Sequence, residues 1–250
     1  MEGAEAVIVV IMGPPGCGKG TQADRISDCF GFRHLSTGQM LRKEIQEVTP
    51  LGRQVEDLIS RGELAPDDLI NELVLNRLRR NFHSHPRLLL DGYPRTVGQL
   101  QFLEQSLKAG AMGFTGILYL DVDEPEIIER LAGRLTCSEC GTVYHTRFKP
   151  PKQAGRCNRC GGELATRADD LPDSVRERLR IYQQQTQPIL DAVGPEQRLI
   201  RVRADGPPGE VFEQVREQFR KLDIEDQKGG RREPRRKGNG GGADHPEESG

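Results

Sequence analysis

The stretch VIVVIMGPPGCGKGTQADRISDCF, Val7–Phe30, decides the fold. Val7–Met12 is an unbroken apolar, mostly β-branched run, the pattern of a strand buried on both faces. Such strands belong to parallel sheets with helices on each side. Glycines follow at once, at positions 13, 16, 18 and 20, and a helical stretch runs from Lys19 to Phe30. Gly13–Lys19 fits the spacing G-x-x-x-x-G-K. Between a strand and a helix, such a loop turns backbone N–H groups inward. The helix N-terminus adds partial positive charge and Lys19 a full one, so the loop is a cradle for phosphate. The pattern usually carries a hydroxyl directly after the lysine; here Gly20 stands between Lys19 and Thr21.

Outward from that stretch, the chain repeats the alternation. Strands are expected at Arg33–Leu35, Arg87–Leu90, Gly116–Val122 and Arg198–Val202. Helices are expected at Gln39–Glu47, Gly52–Ser60, Asp67–Arg80, Val97–Lys108, Pro125–Leu131, Ser174–Val193 and Glu210–Leu222. Strand–helix alternation predicts an α/β fold with a parallel sheet flanked by helices and ligands beyond the strands' carboxyl ends. Two segments interrupt it. Residues 36–65 are helical and loop-like, and residues 134–170 lack apolar runs and hold four cysteines. Residues 225–250, with no Val, Leu, Phe or Tyr and seven glycines, are expected to be disordered.

Composition bounds the function. The 250 residues carry a net charge of −2, unlike the strongly basic balance of a general nucleic-acid binder. No apolar run reaches the roughly 18–20 residues that span a bilayer. The opening residues lack the basic segment of a secretory signal, so a cytoplasmic location is expected.

Four of the six cysteines form two pairs, Cys137/Cys140 and Cys157/Cys160, with sixteen residues between. That spacing falls in the range of structural zinc sites. Two residues between thiolates let one turn aim both sulfurs at one ion, and two such turns complete a tetrahedron. A closed four-sulfur site leaves no position for water, which makes it structural. Cys17, inside the loop, is read as a small residue that fits there, with no chemistry of its own.

Further motifs fall in one order: GPPGCGKGTQ (Gly13–Gln22), LSTGQMLR (Leu35–Arg42), LLLDGYPRT (Leu88–Thr96), RLAGR (Arg130–Arg134), TRADD (Thr166–Asp170) and VRERL (Val175–Leu179). Together they resemble the adenylate kinase family, of the long-lid, zinc-containing type, over Val7–Leu222. The resemblance implies a P-loop NTPase-type sheet, with residues 1–35, 66–132 and 171–224 as core. It also implies an AMP-binding insertion at 36–65 and a zinc-stapled lid at 133–170. The implied reaction is ATP + AMP = 2 ADP by direct in-line transfer, with Mg2+ accompanying ATP and Zn2+ in the lid. The implied partners are these nucleotides, with no membrane and no nucleic acid, and the chain is expected to be a monomer.

The same resemblance implies the site. Lys19, Arg95, Arg134, Arg167 and Arg178 would stabilise the transferred group. Gly16, Cys17, Gly18, Gly20, Thr21, Arg130, Val143, Tyr144 and Pro208 would join Lys19 and Arg134 on ATP. Thr37, Arg42, Glu63, Leu64, Ala65, Gly92, Tyr93, Pro94 and Gln99 would join Arg95, Arg167 and Arg178 on AMP. Asp91 would anchor magnesium through water. One departure stands out: the family commonly has Asp after S-T-G, where this chain has Gln39, so weaker metal organisation is expected. The amide of Gln99 can both donate to and accept from an adenine edge, which argues for AMP over UMP or CMP. The intact cations argue against an inactive nucleotide sensor.

Overall fold

A computed structural model describes residues 7–82, 85–110, 113–193 and 198–226. Residues 227–250 of the expected disordered tail lie outside the described residues. Strand β1 (Val7–Met12) passes through the glycine loop into α1 (Lys19–Phe30). Strand β2 (Arg33–Ser36) is followed by α2 (Thr37–Gln46), α3 (Pro50–Arg61) and α4 (Asp67–Phe82). Next come β3 (Arg87–Asp91), α5 (Val97–Ala109), β4 (Phe114–Asp121) and α6 (Glu124–Ala132). Three short strands follow, β5 (Arg134–Cys137), β6 (Val143–His145) and β7 (Leu164–Ala165). The described chain closes with α7 (Pro172–Ile181), α8 (Ile189–Ala192), β8 (Arg198–Arg203) and α9 (Pro208–Lys221).

The main sheet has the order β2-β3-β1-β4-β8, and every pairing in it is parallel, as the alternation predicts. Successive residues of β1 point to opposite faces, and both faces are covered. Val9 and Ile11 pack with Ala23, Ile26 and Phe30 of α1 and Val215 and Phe219 of α9. Ile8 and Val10 pack on the other side with Val74 and Leu78 of α4 and Leu100 and Leu103 of α5. Each such aliphatic side chain, fully buried, contributes about 1.5–3 kcal/mol, so the helices are held by the strands' apolar faces. In register, Ser36 lies beside Asp91 and Met12 beside Tyr119. Gly13, Thr37 and Gly92 therefore leave the sheet at one end.

Two elements differ from the sequence expectation. The helix expected over Ser174–Val193 is interrupted. α7 ends at Ile181, Tyr182–Thr186 form a π-helical turn, and α8 restarts at Ile189. Pro188 supplies no N–H to the ladder and its ring crowds the preceding turn. The slack is taken up by tertiary bonds: Thr186 Oγ1 donates to the carbonyl of Arg95 (2.9 Å) and Tyr182 Oη to Tyr119 Oη (3.0 Å). The second difference lies in the cysteine segment, where β6-β5-β7 form an antiparallel sheet. These strands are two to four residues long, too short to show an alternating pattern. Their core is small: Cys137, Tyr144, Cys157 and Leu164.

Candidate active site: a cleft lined by cations

A cleft of about 720 Å³ opens at the carboxyl end of the sheet. The glycine loop forms one wall. Gly13 has φ 145°, and a Cβ there would stand 2.5 Å from the carbonyl oxygen of Leu120, so only glycine fits so close to β4. The Lys19 ammonium donates to the carbonyls of Gly13 (2.7 Å) and Pro14 (2.8 Å), which holds it over its own loop. Gly16, Cys17, Gly18, Gly20 and Thr21 line the same wall. The Cys17 side chain is turned inward and buried.

Seven arginines line the cleft with Lys19; Arg147 is largely exposed, and the other six are Arg42, Arg95, Arg130, Arg134, Arg167 and Arg178. They arrive from different elements and are held by different means. The Arg134 guanidinium grips the Asp170 carboxylate with both arms, its Nε 2.7 Å from Oδ2. Arg178 donates to Asp170 Oδ1 (3.0 Å) and to the carbonyl of Asp169 (2.8 Å), and Arg167 pairs with Asp169 at 3.1 Å. Arg95 Nε donates to the carbonyl of Gly92 (3.0 Å), and Arg130 to Glu126 (2.7 Å). Arg42 has no carboxylate within 4.0 Å among the described residues. It lies over Gly38, where a Cβ would come within 3.3 Å of its guanidinium.

The crowding shows in the charges. Burial, then repulsion from Arg167, lowers Arg42 to about 10. Burial, then Arg134, lowers Arg167 to about 10. Burial would raise the Asp169 carboxyl, but Arg178 and Arg167 outweigh it and hold it below the usual carboxylate range. A cleft with that surplus of fixed cations suits a ligand carrying several negative charges, and planar guanidinium forks bind phosphate oxygens in pairs.

Asp91 ends β3 on the cleft wall and is buried, with Oδ2 3.1 Å from His34 Nε2. Burial would raise it, but the His34 hydrogen bond together with the charges of His34, Lys19 and Arg95 outweighs that and holds its carboxyl below the ordinary value. Thr37, Glu63, Leu64, Ala65, Gly92, Pro94 and Gln99 face the cleft opposite the loop, as does Gln39. Tyr93 does not line it: its ring is buried in the core and its hydroxyl donates to Asn71 Oδ1 (2.7 Å). The Thr37 hydroxyl donates to the Gly92 carbonyl (2.8 Å). Val143 and Pro208 also line the cleft, with the Pro208 carbonyl accepting from Gln22 Nε2 at 3.0 Å. Tyr144 lines it too, but its hydroxyl is turned to the cysteines, 3.5 Å from Cys157 Sγ.

The four paired cysteines converge, with all their sulfurs within 4.8 Å of one another. Cys137–Cys160 is 3.5 Å and Cys140–Cys157 is 3.6 Å. A tetrahedral ion with metal–sulfur bonds of about 2.3 Å sets its sulfurs about 3.8 Å apart, so the four fit a metal. His34, Asp67, Thr96, Asp169 and Asp170 were given no role by the sequence motifs. Asp169 and Asp170 were readable as the acids of TRADD, whereas Asp67 meets Thr96 and Gln99 only through the fold.

The adenylate kinase family profile matches residues 11–196. The chain is 40% identical over 208 residues to an adenylate kinase of Pyrococcus furiosus, covering 83% of this chain and 93% of the relative. It is 40% identical over 213 residues to one from Symbiobacterium thermophilum (85% and 98%). It is 41% identical over 209 residues to one from Bacillus velezensis (84% and 96%).

The chain belongs to the adenylate kinase family. It is a nucleoside monophosphate kinase, and its reaction is the reversible transfer ATP + AMP = 2 ADP, with magnesium accompanying ATP. For an adenylate kinase the cation surplus is the expected design, because phosphoryl transfer calls for positioning and charge neutralisation more than for covalent help. Among the described residues no helix is long and apolar enough to cross a membrane.

Proposed function

We propose that ATP and AMP lie in this cleft with their phosphates facing each other across the arginines. Lys19 and the backbone N–H groups of Gly16, Cys17, Gly18, Gly20 and Thr21 take the ATP phosphates, helped by Arg130 and Arg134. Arg42, Arg95, Arg167 and Arg178 take the AMP phosphate and the moving group. The transition state spreads charge over the equatorial oxygens of that group, and fixed forks neutralise it without reorganising. Val143, the ring of Tyr144 and the Pro208 backbone border the ATP base. Thr37, Glu63, Leu64, Ala65, Gly92, Pro94 and Gln99 surround AMP. The magnesium ion that accompanies ATP neutralises phosphate charge, and Asp91 is assigned to hold it through water.

Zinc is the metal we assign to Cys137, Cys140, Cys157 and Cys160. It staples a lid, residues 133–170, whose own apolar core is only four residues. The lid and residues 36–65 close over a core made of the remaining ordered segments. Closure excludes water, so phosphate goes to AMP and not to hydrolysis. Four cysteines kept as thiolate ligands suit a reducing compartment, which supports a cytoplasmic location.

The convergence of Lys19 with Arg42, Arg95, Arg130, Arg134, Arg167 and Arg178 on one cleft carries this reading. A dinucleotide mimic joining two adenosines through five phosphates tests it. At a free concentration of 100 Kd, the mimic should stabilise the pure protein by about 2.7 kcal/mol in thermal unfolding. An unmoved melting curve at millimolar mimic sinks the reading.

A further inference from the structure

The Gln99 side chain is 2% exposed and held at both ends of its amide. Its Oε1 accepts from the backbone N–H of Arg95 (2.8 Å), and its Nε2 donates to Asp67 Oδ1 (2.7 Å). Asp67 is held in turn, since Thr96 Oγ1 donates to Oδ2 (2.7 Å) while accepting from the backbone N–H of Gln99 (3.1 Å). Chemistry allows one orientation only. A backbone N–H cannot donate to an amide NH2, and a carboxylate cannot accept from an amide oxygen. Gln99 therefore has one N–H and one lone pair left, in a fixed order, on a residue that lines the cleft.

We propose that Asp67 is a specificity-determining residue, a positioning carboxylate that fixes the Gln99 amide so that the acceptor site pairs with a 6-aminopurine and refuses a 6-oxopurine. This rests on the proposed contact of Gln99 with the AMP base. Adenine offers a donor at N6 beside an acceptor at N1. Hypoxanthine and guanine offer the reverse, an acceptor at O6 beside a donor at N1. A freely turning glutamine pairs with either pattern by rotating half a turn. The Asp67–Thr96 relay removes that choice, because reversal would leave the Asp67 carboxylate facing an oxygen and the Arg95 N–H facing an NH2.

Substituting Asp67→Asn tests the idea. The Thr96 hydroxyl keeps the asparagine oxygen, so the new NH2 faces Gln99 and favours the reversed amide. The ratio of kcat/KM for AMP over IMP should fall about tenfold or more, the scale of one charge-assisted hydrogen bond, with IMP improving as AMP worsens. Asp67→Ala removes the acceptor without offering a donor. The amide then keeps only the Arg95 N–H of its two anchors, and the ratio should fall by about threefold, less than for Asn, with AMP losing more than IMP. Asp67→Ser, whose hydroxyl both donates and accepts, should fall between. An Asn variant with the wild-type ratio overturns the proposal, as does an Ala variant that depresses AMP and IMP equally. A residue that only supported the fold would depress both acceptors together. A Gln99→Leu variant with unchanged KM for AMP would instead remove the base contact on which the proposal stands.

Discussion

Gln39 sits in the first turn of α2 on the cleft wall, at the position after S-T-G where the family resemblance implies an acid. A carboxylate there would add a second negative group near Asp91, and magnesium takes oxygen ligands and ordered water. Gln39→Asp should therefore lower the Mg2+ concentration for half-maximal rate by about three- to tenfold, the range of about 0.7–1.4 kcal/mol from one added charge contact. Unchanged magnesium dependence and turnover would show that Asp91 organises the ion alone. At this scale the cations were legible because each falls inside a short motif with its own spacing. Asp67 was not, because its partners are 29 and 32 residues away. Tyr144 was legible as a lid residue, but the destination of its hydroxyl was not. The same sequence fits a tyrosine facing a base or one facing sulfur, and only the fold of β5 and β6 sets which.

Among the elements, the cysteine segment is the one whose folding a bound metal would support most, on the proposed reading. Its sheet has three strands, its core four residues, and two of those four are cysteines. Without an ion, the packed thiols would leave too little apolar surface to offset the entropy of ordering residues 133–170. Cys137→Ser should lower the thermal midpoint by about 4–8 °C, corresponding to about 2 kcal/mol in a chain of this length. Turnover at low temperature should fall by less than about threefold, because Arg134 and Arg167 remain tied to Asp169 and Asp170 outside the knuckle. Metal content measured on the same sample checks the loss of the ion. Lost turnover with an unaltered melting curve would mean the metal does more than staple. The break after α7 also belongs to this scale. Pro188 marks where regular helix must stop, but the π-helical turn ahead of it is set by bonds to Arg95 and Tyr119 from other elements.

For the whole molecule, the arginine cluster links stability to acidity. The Asp169 carboxyl lies below its unfolded value of about 3.9. A depressed carboxyl contributes stability that is complete above the unfolded value and lost as pH falls through the folded one. The thermal midpoint of the wild type should therefore drop on acidification below about pH 4. The advantage of wild type over Asp169→Asn should shrink across the same window. An advantage that persists once titration shows the Asp169 carboxyl protonated in the folded protein would mean the ion pairs with Arg167 and Arg178 add nothing beyond neutral hydrogen bonding.

Strand–helix order, the glycine loop, the paired cysteines and the types of charge that gather at the cleft were all present in the linear chain, because each depends on spacing within a few residues. Sheet order, the common exit of Gly13, Thr37 and Gly92, the short strands of the lid and the fixed Gln99 amide belonged to the tertiary structure alone. Those features depend on which residues meet across the fold, and local periodicity carries no record of a partner thirty or a hundred positions away.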